Sequence, residues 1–198
     1  MSRRRPAIAS SAVATGRGDD GTTGLLYGGR VGKDDPRAEA YGSVDEAVAA
    51  LGLARAELEA AGLSESAASV LRWQRELFVV GAELATNPEA RDRLVDGVTR
   101  VSEEMLAGVE AELARWEAAI EMPREFVVPG ETRASAALEL ARTILRRAER
   151  RVIALRHAGL PVGEWLVPYL NRLADLAWVL ARAAEQAEQR SATPARRR

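Results

Sequence analysis

The chain has 198 residues, of which 47% are apolar and 29% charged, with a formal net charge of −1. That length suits one globular domain or two small ones, and the near-neutral balance argues against a general nucleic-acid binder. The lack of cysteine excludes disulfides, thiolate nucleophiles and zinc–thiolate centres, and no apolar run reaches the roughly 18 residues that a membrane-spanning helix needs.

Residues 1–18 hold Arg3, Arg4, Arg5 and Arg17 and no acid, a composition shared with targeting peptides. Residues 6–14 are too short and too rich in Ser and Ala for an apolar targeting core, so residues 1–14 read as a disordered extension. Glycines then crowd positions 16, 18, 21, 24, 28, 29 and 32, interleaved with Asp19, Asp20, Thr22 and Thr23. At this density glycine disfavours regular structure, and the segment reads as a loop that wraps a ligand. Gly16, Gly18 and Gly21 match G-x-G-x-x-G, but neither a preceding strand nor a following helix is in place for the dinucleotide fold. The Walker pattern fails too, with Tyr27 where its first Gly belongs and Asp34 after Gly32-Lys33. What survives is a glycine loop whose N–H groups and hydroxyls can cradle phosphates.

Asp35-Pro36 supplies an N-cap and a first-turn proline. Ala40, Val44, Val48, Leu51, Leu53, Ala54 and Leu58 then recur at helical spacing up to Gly62, the C′ residue, with Asp45 and Glu46 interrupting the middle. Asp45 reads either as a solvated acid or as a partner for an arginine farther along. Ser64 opens a second helix with Val70, Leu71, Leu77, Val80, Gly81 and Leu84 on its apolar side, stopped at Thr86-Asn87-Pro88. Trp73 and Phe78 read as core or subunit contacts. A third helix starts near Ser102, followed by Glu103 and Glu104, and breaks near Pro123. Phe126-Val127-Val128-Pro129-Gly130 is an apolar connector expected to tuck Phe126 into the core.

The fourth helix, over residues 132–158, carries the densest positive charge. Arg142, Arg146 and Arg150 stack four apart while Ala141, Ile144 and Ala148 lie nearer its apolar side. One reading is a solvated face with Glu149 as local partner; the other is a polyphosphate site, since forked guanidinium donors match phosphate oxygens. His157 reads as a capping residue at the negative end of the helix dipole, before Gly159 and Pro161. A fifth helix over residues 164–190 buries Leu166, Leu170, Leu173, Ala177, Leu180, Ala181 and Ala184, with Asn171 and Asp175 stacked near that stripe. The expected fold class is all-α: a five-helix bundle without a convincing strand, one domain over residues 15–190, and a disordered polar tail at 191–198. A ferritin-like di-iron site is excluded, because it needs two Glu-x-x-His motifs and the chain has one histidine.

The loop, Lys33-Asp34-Asp35-Pro36-Arg37, Val44-Asp45-Glu46, Arg146-Arg147-Ala148-Glu149-Arg150 and Tyr169-Leu170-Asn171-Arg172-Leu173-Ala174-Asp175 occur together and in this order. On those motifs the chain resembles the PduO-type ATP:cob(I)alamin adenosyltransferases from about Thr15 to Arg182. The resemblance implies a homotrimeric five-helix bundle with its active site between neighbouring subunits. The implied reaction transfers the 5′-deoxyadenosyl group of ATP to the cobalt of a reduced corrinoid and releases triphosphate. It further implies that Thr15, Gly16, Arg17, Gly18, Gly21, Thr22 and Thr23 wrap ATP with Lys33 on the phosphates. Arg146, Arg147, Glu149, Arg150 and Asn171 complete that nucleotide site. Asp45 is implied to pair across the interface with Arg142, and Phe126 to exclude the lower axial ligand of cobalt. Catalytic roles therefore fall to Asp45, Phe126, Arg142 and Arg146.

ATP carries roughly four negative charges, more than one helix terminus can balance at about 0.3–1 kcal/mol, so several charge-assisted bonds are expected. Magnesium is expected with the phosphates, with no protein metal ligands assigned. The nucleophile is the corrinoid's own metal, so no Ser, Cys or His base is required. A cytoplasmic enzyme is expected, with a corrinoid reductase and an adenosylcobalamin-dependent enzyme as further partners. Gly16 stands where the family usually has Lys or Arg, Gly29 where it often has Lys, Glu131 where it often has a second Gly, and Trp178 where it usually has Phe. Two alternatives stand on those differences and on the stripe: a degenerate relative that carries or senses ATP or corrinoid, and a bundle whose arginines only bridge subunits.

Overall fold

The computed structural model describes residues 11–196. The expected extension lies, up to residue 10, outside the described residues. Five long helices form the body: α1 Pro36–Ala60, α2 Ser64–Leu84, α3 Glu103–Ala119, α4 Arg133–His157 and α5 Leu166–Ala187, with a single 3-10 segment, Pro88–Arg93, after α2. Their starts follow local chemistry. The Asp35 side chain accepts from Arg37 N ahead of Pro36, Ser102 accepts from Met105 N, and Thr132 and Ser135 form a reciprocal capping box. Helix α1 gives way at Gly62, whose φ of +76° suits a residue without Cβ.

In the bundle α1 packs against α2 and α4, α4 against α5, and α5 against α3. One continuous core results, built from Leu51, Leu58, Trp73, Leu77, Leu138, Leu145, Leu155, Leu170 and Leu173 among others. Fully burying one such side chain contributes about 1.5–3 kcal/mol, so the helix pairs need no covalent tie. Several buried polar groups are paired between helices. Glu112 of α3 accepts from Ser69 Oγ, Trp73 Nε1 and Arg72 of α2, and Tyr169 Oη of α5 donates to Glu76 Oε2 at 2.6 Å. No helix among the described residues is long and apolar enough to cross a membrane.

Four expectations need correction. Strands do occur: β1 Thr22–Gly24 pairs antiparallel with β2 Arg30–Gly32, and β3 Val127–Val128 with β4 Thr193–Pro194. Tyr27, Gly28 and Gly29 turn the first hairpin with positive φ, so the glycines here enable regular pairing rather than prevent it. Residues expected as tail run back along the connector instead, with Ala195 N donating to Phe126 O at 2.7 Å. Phe126, expected in the core, is 88% exposed, because its backbone is tied to that tail while its ring stands clear. Leu53 is likewise half-exposed, on the outer side of α1.

Candidate active site

Residues 15–33 make a folded cradle rather than a dangling loop. Asp20 Oδ1 accepts from Thr22 N and Thr22 Oγ1, and Lys33 N donates to Gly21 O at 2.9 Å. The organiser is Arg30, which sequence reasoning did not single out. Its Nε donates to Thr22 Oγ1 at 2.8 Å, and its Nη2 to Arg17 O at 2.7 Å and Thr22 O at 3.2 Å. Lys33 folds over Gly18 so closely that a Cβ there would sit 3.1 Å from Lys33 Nζ. The hairpin is moored to the end of α2, where Leu26 N donates to Ala85 O and Asn87 N to Leu26 O. A glycine-rich hairpin with one lysine folded over it suits an anionic ligand.

A cleft of about 650 Å³ opens elsewhere, between the 123–129 connector, α4 and α5. Phe126, Val127, Pro129, Ala174 and Trp178 give it apolar walls, and Glu139, Arg142, Arg146 and Asp175 give it charge. Three of the residues expected to act together, Phe126, Arg142 and Arg146, therefore meet here. No residue of the 15–33 cradle lines this cleft. Arg146 and Arg150 are exposed and have no ion pair among the described residues. The local partner that a solvated-face reading gave them is otherwise engaged. Glu149 is 9% exposed and accepts from Asn171 Nδ2 at 3.1 Å.

Arg147, expected among the ATP ligands, ion-pairs with Glu46 of α1, as Arg151 does with Glu39 at 3.1 Å. Asp45, one residue before Glu46, is exposed and does not reach Arg142 within the chain. It lines a separate apolar groove of about 460 Å³ with Leu26, Tyr41, Val48, Leu77 and Phe78, the last 66% exposed. Arg142 instead donates its Nε to Glu139 Oε2 at 2.7 Å. Behind that pair sits Arg182, 1% exposed, with Nη2 3.3 Å from Glu139 Oε1 and 2.9 Å from Glu185 Oε1. Burial pushes the Glu185 carboxyl above its ordinary range, against the lowering effect of Arg182. The only signals for this buried chain of charges were the i, i+3 spacings of Glu139 with Arg142 and Arg182 with Glu185. No cluster of three or more His, Cys, Asp or Glu able to hold a metal occurs among the described residues.

The structure is thus a helical bundle that carries a glycine-rich cradle under Lys33 and, apart from it, a part-apolar, arginine-edged cleft. The family model for cobalamin adenosyltransferase matches residues 13–184, and the chain belongs to that family. A corrinoid adenosyltransferase of Citrobacter freundii is 40% identical over 173 residues, spanning 87% of this chain and 94% of that protein. Another from Bacillus subtilis is 39% identical over 169 residues, 85% of this chain and 83% of that one. Among solved structures, a variant PduO-type ATP:corrinoid adenosyltransferase from Lactobacillus reuteri, complexed with cobalamin and ATP, superposes with a TM-score of 0.84. It is 28% identical, with 93% of this chain and 96% of that chain covered.

Proposed function

We propose that this protein transfers the 5′-deoxyadenosyl group of ATP to the cobalt of a reduced corrinoid, cob(I)alamin, and that it acts as a homotrimer with each site shared by two subunits. The electron pair of the reduced cobalt attacks the ribose C5′, a cobalt–carbon bond forms, and the C5′–oxygen bond breaks with its electrons leaving on triphosphate. No side chain has to supply or remove a proton at carbon. The protein holds the two substrates in line and balances charge on the departing triphosphate.

One observation carries this reading: the chain holds two complementary half-sites, a phosphate-type cradle with Lys33 and an arginine-edged cleft with Phe126, on separate surfaces. Two copies bring them together. The cradle takes the phosphates of ATP with Thr15, Gly16, Arg17, Gly18, Gly21, Thr22, Thr23 and Lys33, and Arg146 and Arg150 of the adjoining copy close on the same oxygens. Asp45, exposed at the rim of the Phe78 groove, then meets a neighbouring Arg142. Phe126 and Trp178 give the corrin its apolar walls. Magnesium enters on the triphosphate, whose oxygens suit it better than any protein ligand set here. We place the reaction in the cytoplasm, with a corrinoid reductase upstream and an adenosylcobalamin-dependent enzyme downstream.

The test is incubation with ATP, magnesium and chemically reduced cobalamin. Adenosylcobalamin and triphosphate in equal amounts are expected; binding of either substrate without turnover would leave a carrier, and no binding would leave a scaffold. In the Arg146→Ala variant transfer is expected to be abolished with helix content unchanged by circular dichroism. Unaltered turnover there would remove its phosphate role.

A further inference from the structure

We infer that Glu139 is a positioning residue for the transfer reaction, a buried carboxylate that fixes the Arg142 guanidinium at the edge of the cleft. The inference rests on the adenosyl-transfer reading and adds a residue to it. Glu139 is 4% exposed and lines the cleft from α4. Each of its oxygens is committed to a different guanidinium: Oε2 accepts Arg142 Nε at 2.7 Å, and Oε1 lies 3.3 Å from Arg182 Nη2.

Arg182 is itself fully buried, bonded through Nη2 to Glu185 Oε1 and set with its guanidinium carbon 5.4 Å from the Trp178 ring centre. The carboxylate is thereby pinned from behind, and Arg142 takes up the orientation that Glu139 offers it. Only Nε is used in that bond, and the terminal amino groups of Arg142 have no hydrogen bond among the described residues. They remain available for an anionic group at the cleft mouth. An exposed i, i+3 pair would hold its partners loosely. Here the alternation Arg142, Glu139, Arg182, Glu185 runs from the cleft into the interior, where an unpaired member is strongly disfavoured and a paired one is held still. Preorganisation of this kind acts on the rate of the reacting complex more than on ground-state affinity.

The experiment is a double-mutant cycle on kcat with ATP and cob(I)alamin. Glu139→Gln is expected to lower kcat by about tenfold with KM for ATP within about twofold, as loss of orientation should. In an Arg142→Ala background the same change is expected to have no further effect; losses that multiply would show that Glu139 acts independently of Arg142 and would overturn the inference. Where Glu139→Gln does not fold, Glu139→Asp retains the charge facing Arg182 but is one methylene short of Arg142, and the cycle is run with it. A wild-type protein with no transfer at all would overturn the function, and the positioning is then read by nitrogen-15 NMR. A slowly exchanging Arg142 Nε–H that becomes fast in the Glu139 variant upholds it, and the same exchange rate in both overturns it.

Discussion

A guanidinium surrounded by carbonyl and hydroxyl acceptors can shape a loop, and Arg30 does this for the cradle through Arg17 O, Thr22 O and Thr22 Oγ1. Arg30→Ala should therefore raise KM for ATP several-fold, on the order of one lost charge-assisted bond at about 1.5–3 kcal/mol, while thermal melting stays near wild type. An unchanged KM would show that the cradle holds its form without that side chain. Glu76 offers a test by pH. Burial raises its carboxyl pKa above the ordinary 4.5, against the lowering effects of Tyr169 and Arg72. A group with a raised folded-state pKa stabilises fully below its unfolded value, and that contribution is lost as pH rises through the folded one. The stability of the wild type relative to Glu76→Gln should thus be greatest below about pH 4.5 and decline above it in urea titrations; growth with pH would contradict the assignment. At this scale motif residues were legible and supporting residues were not. Arg146 and Asn171 stand in recognisable strings, whereas Glu139 with Arg142 and Arg182 with Glu185 look like ordinary i, i+3 surface pairs until burial sets them apart.

The starts of α1, α3 and α4 obeyed local capping chemistry, and apolar spacing made all five helices readable, although α2 and α5 begin without a side-chain cap. The Thr132–Ser135 box at the start of α4 fixes where the arginine register begins, and Thr132→Ala should lower stability by about 1 kcal/mol. Connections obeyed contacts that lie far apart in sequence, and there the reading failed. The β1–β2 hairpin depends on Arg30 and on its mooring to α2, and the exposure of Phe126 depends on β4, some seventy residues on. Gly163 is another such case. A Cβ on it would fall 1.9 Å from Glu83 Oε1, and Glu83 is buried and held by Arg91 Nη2 and Val101 N. Gly163→Ala should cost about 1–3 kcal/mol by overpacking, measured as a lower midpoint in chemical denaturation; a neutral change would mean that the Glu83 carboxylate can move aside.

For the whole molecule the governing fact is separation: the cradle and the Asp45 groove lie apart from the cleft that holds Arg142, Arg146 and Phe126. On the proposed reading each chain carries two half-sites, and a cyclic head-to-tail assembly would complete one at every interface. The exposed Phe78 beside Asp45 lies on the face proposed to meet a second copy, so Asp45→Asn should both slow transfer and lower the mass found by light scattering. The family motifs made the assembly an expectation, but neither composition nor periodicity distinguishes a face that meets solvent from one that meets a second copy.

Subunit complementation tests the shared site most directly. Lys33→Ala and Arg146→Ala proteins, each inactive alone, are unfolded together, refolded at equal ratio and assayed for adenosylcobalamin. If cradle and arginines of adjoining copies close on one triphosphate, mixed trimers each regain one intact site and the mixture recovers about a quarter of the wild-type rate. No recovery, with mixed trimers confirmed by mass, would place both residues in a site within one chain and contradict the account.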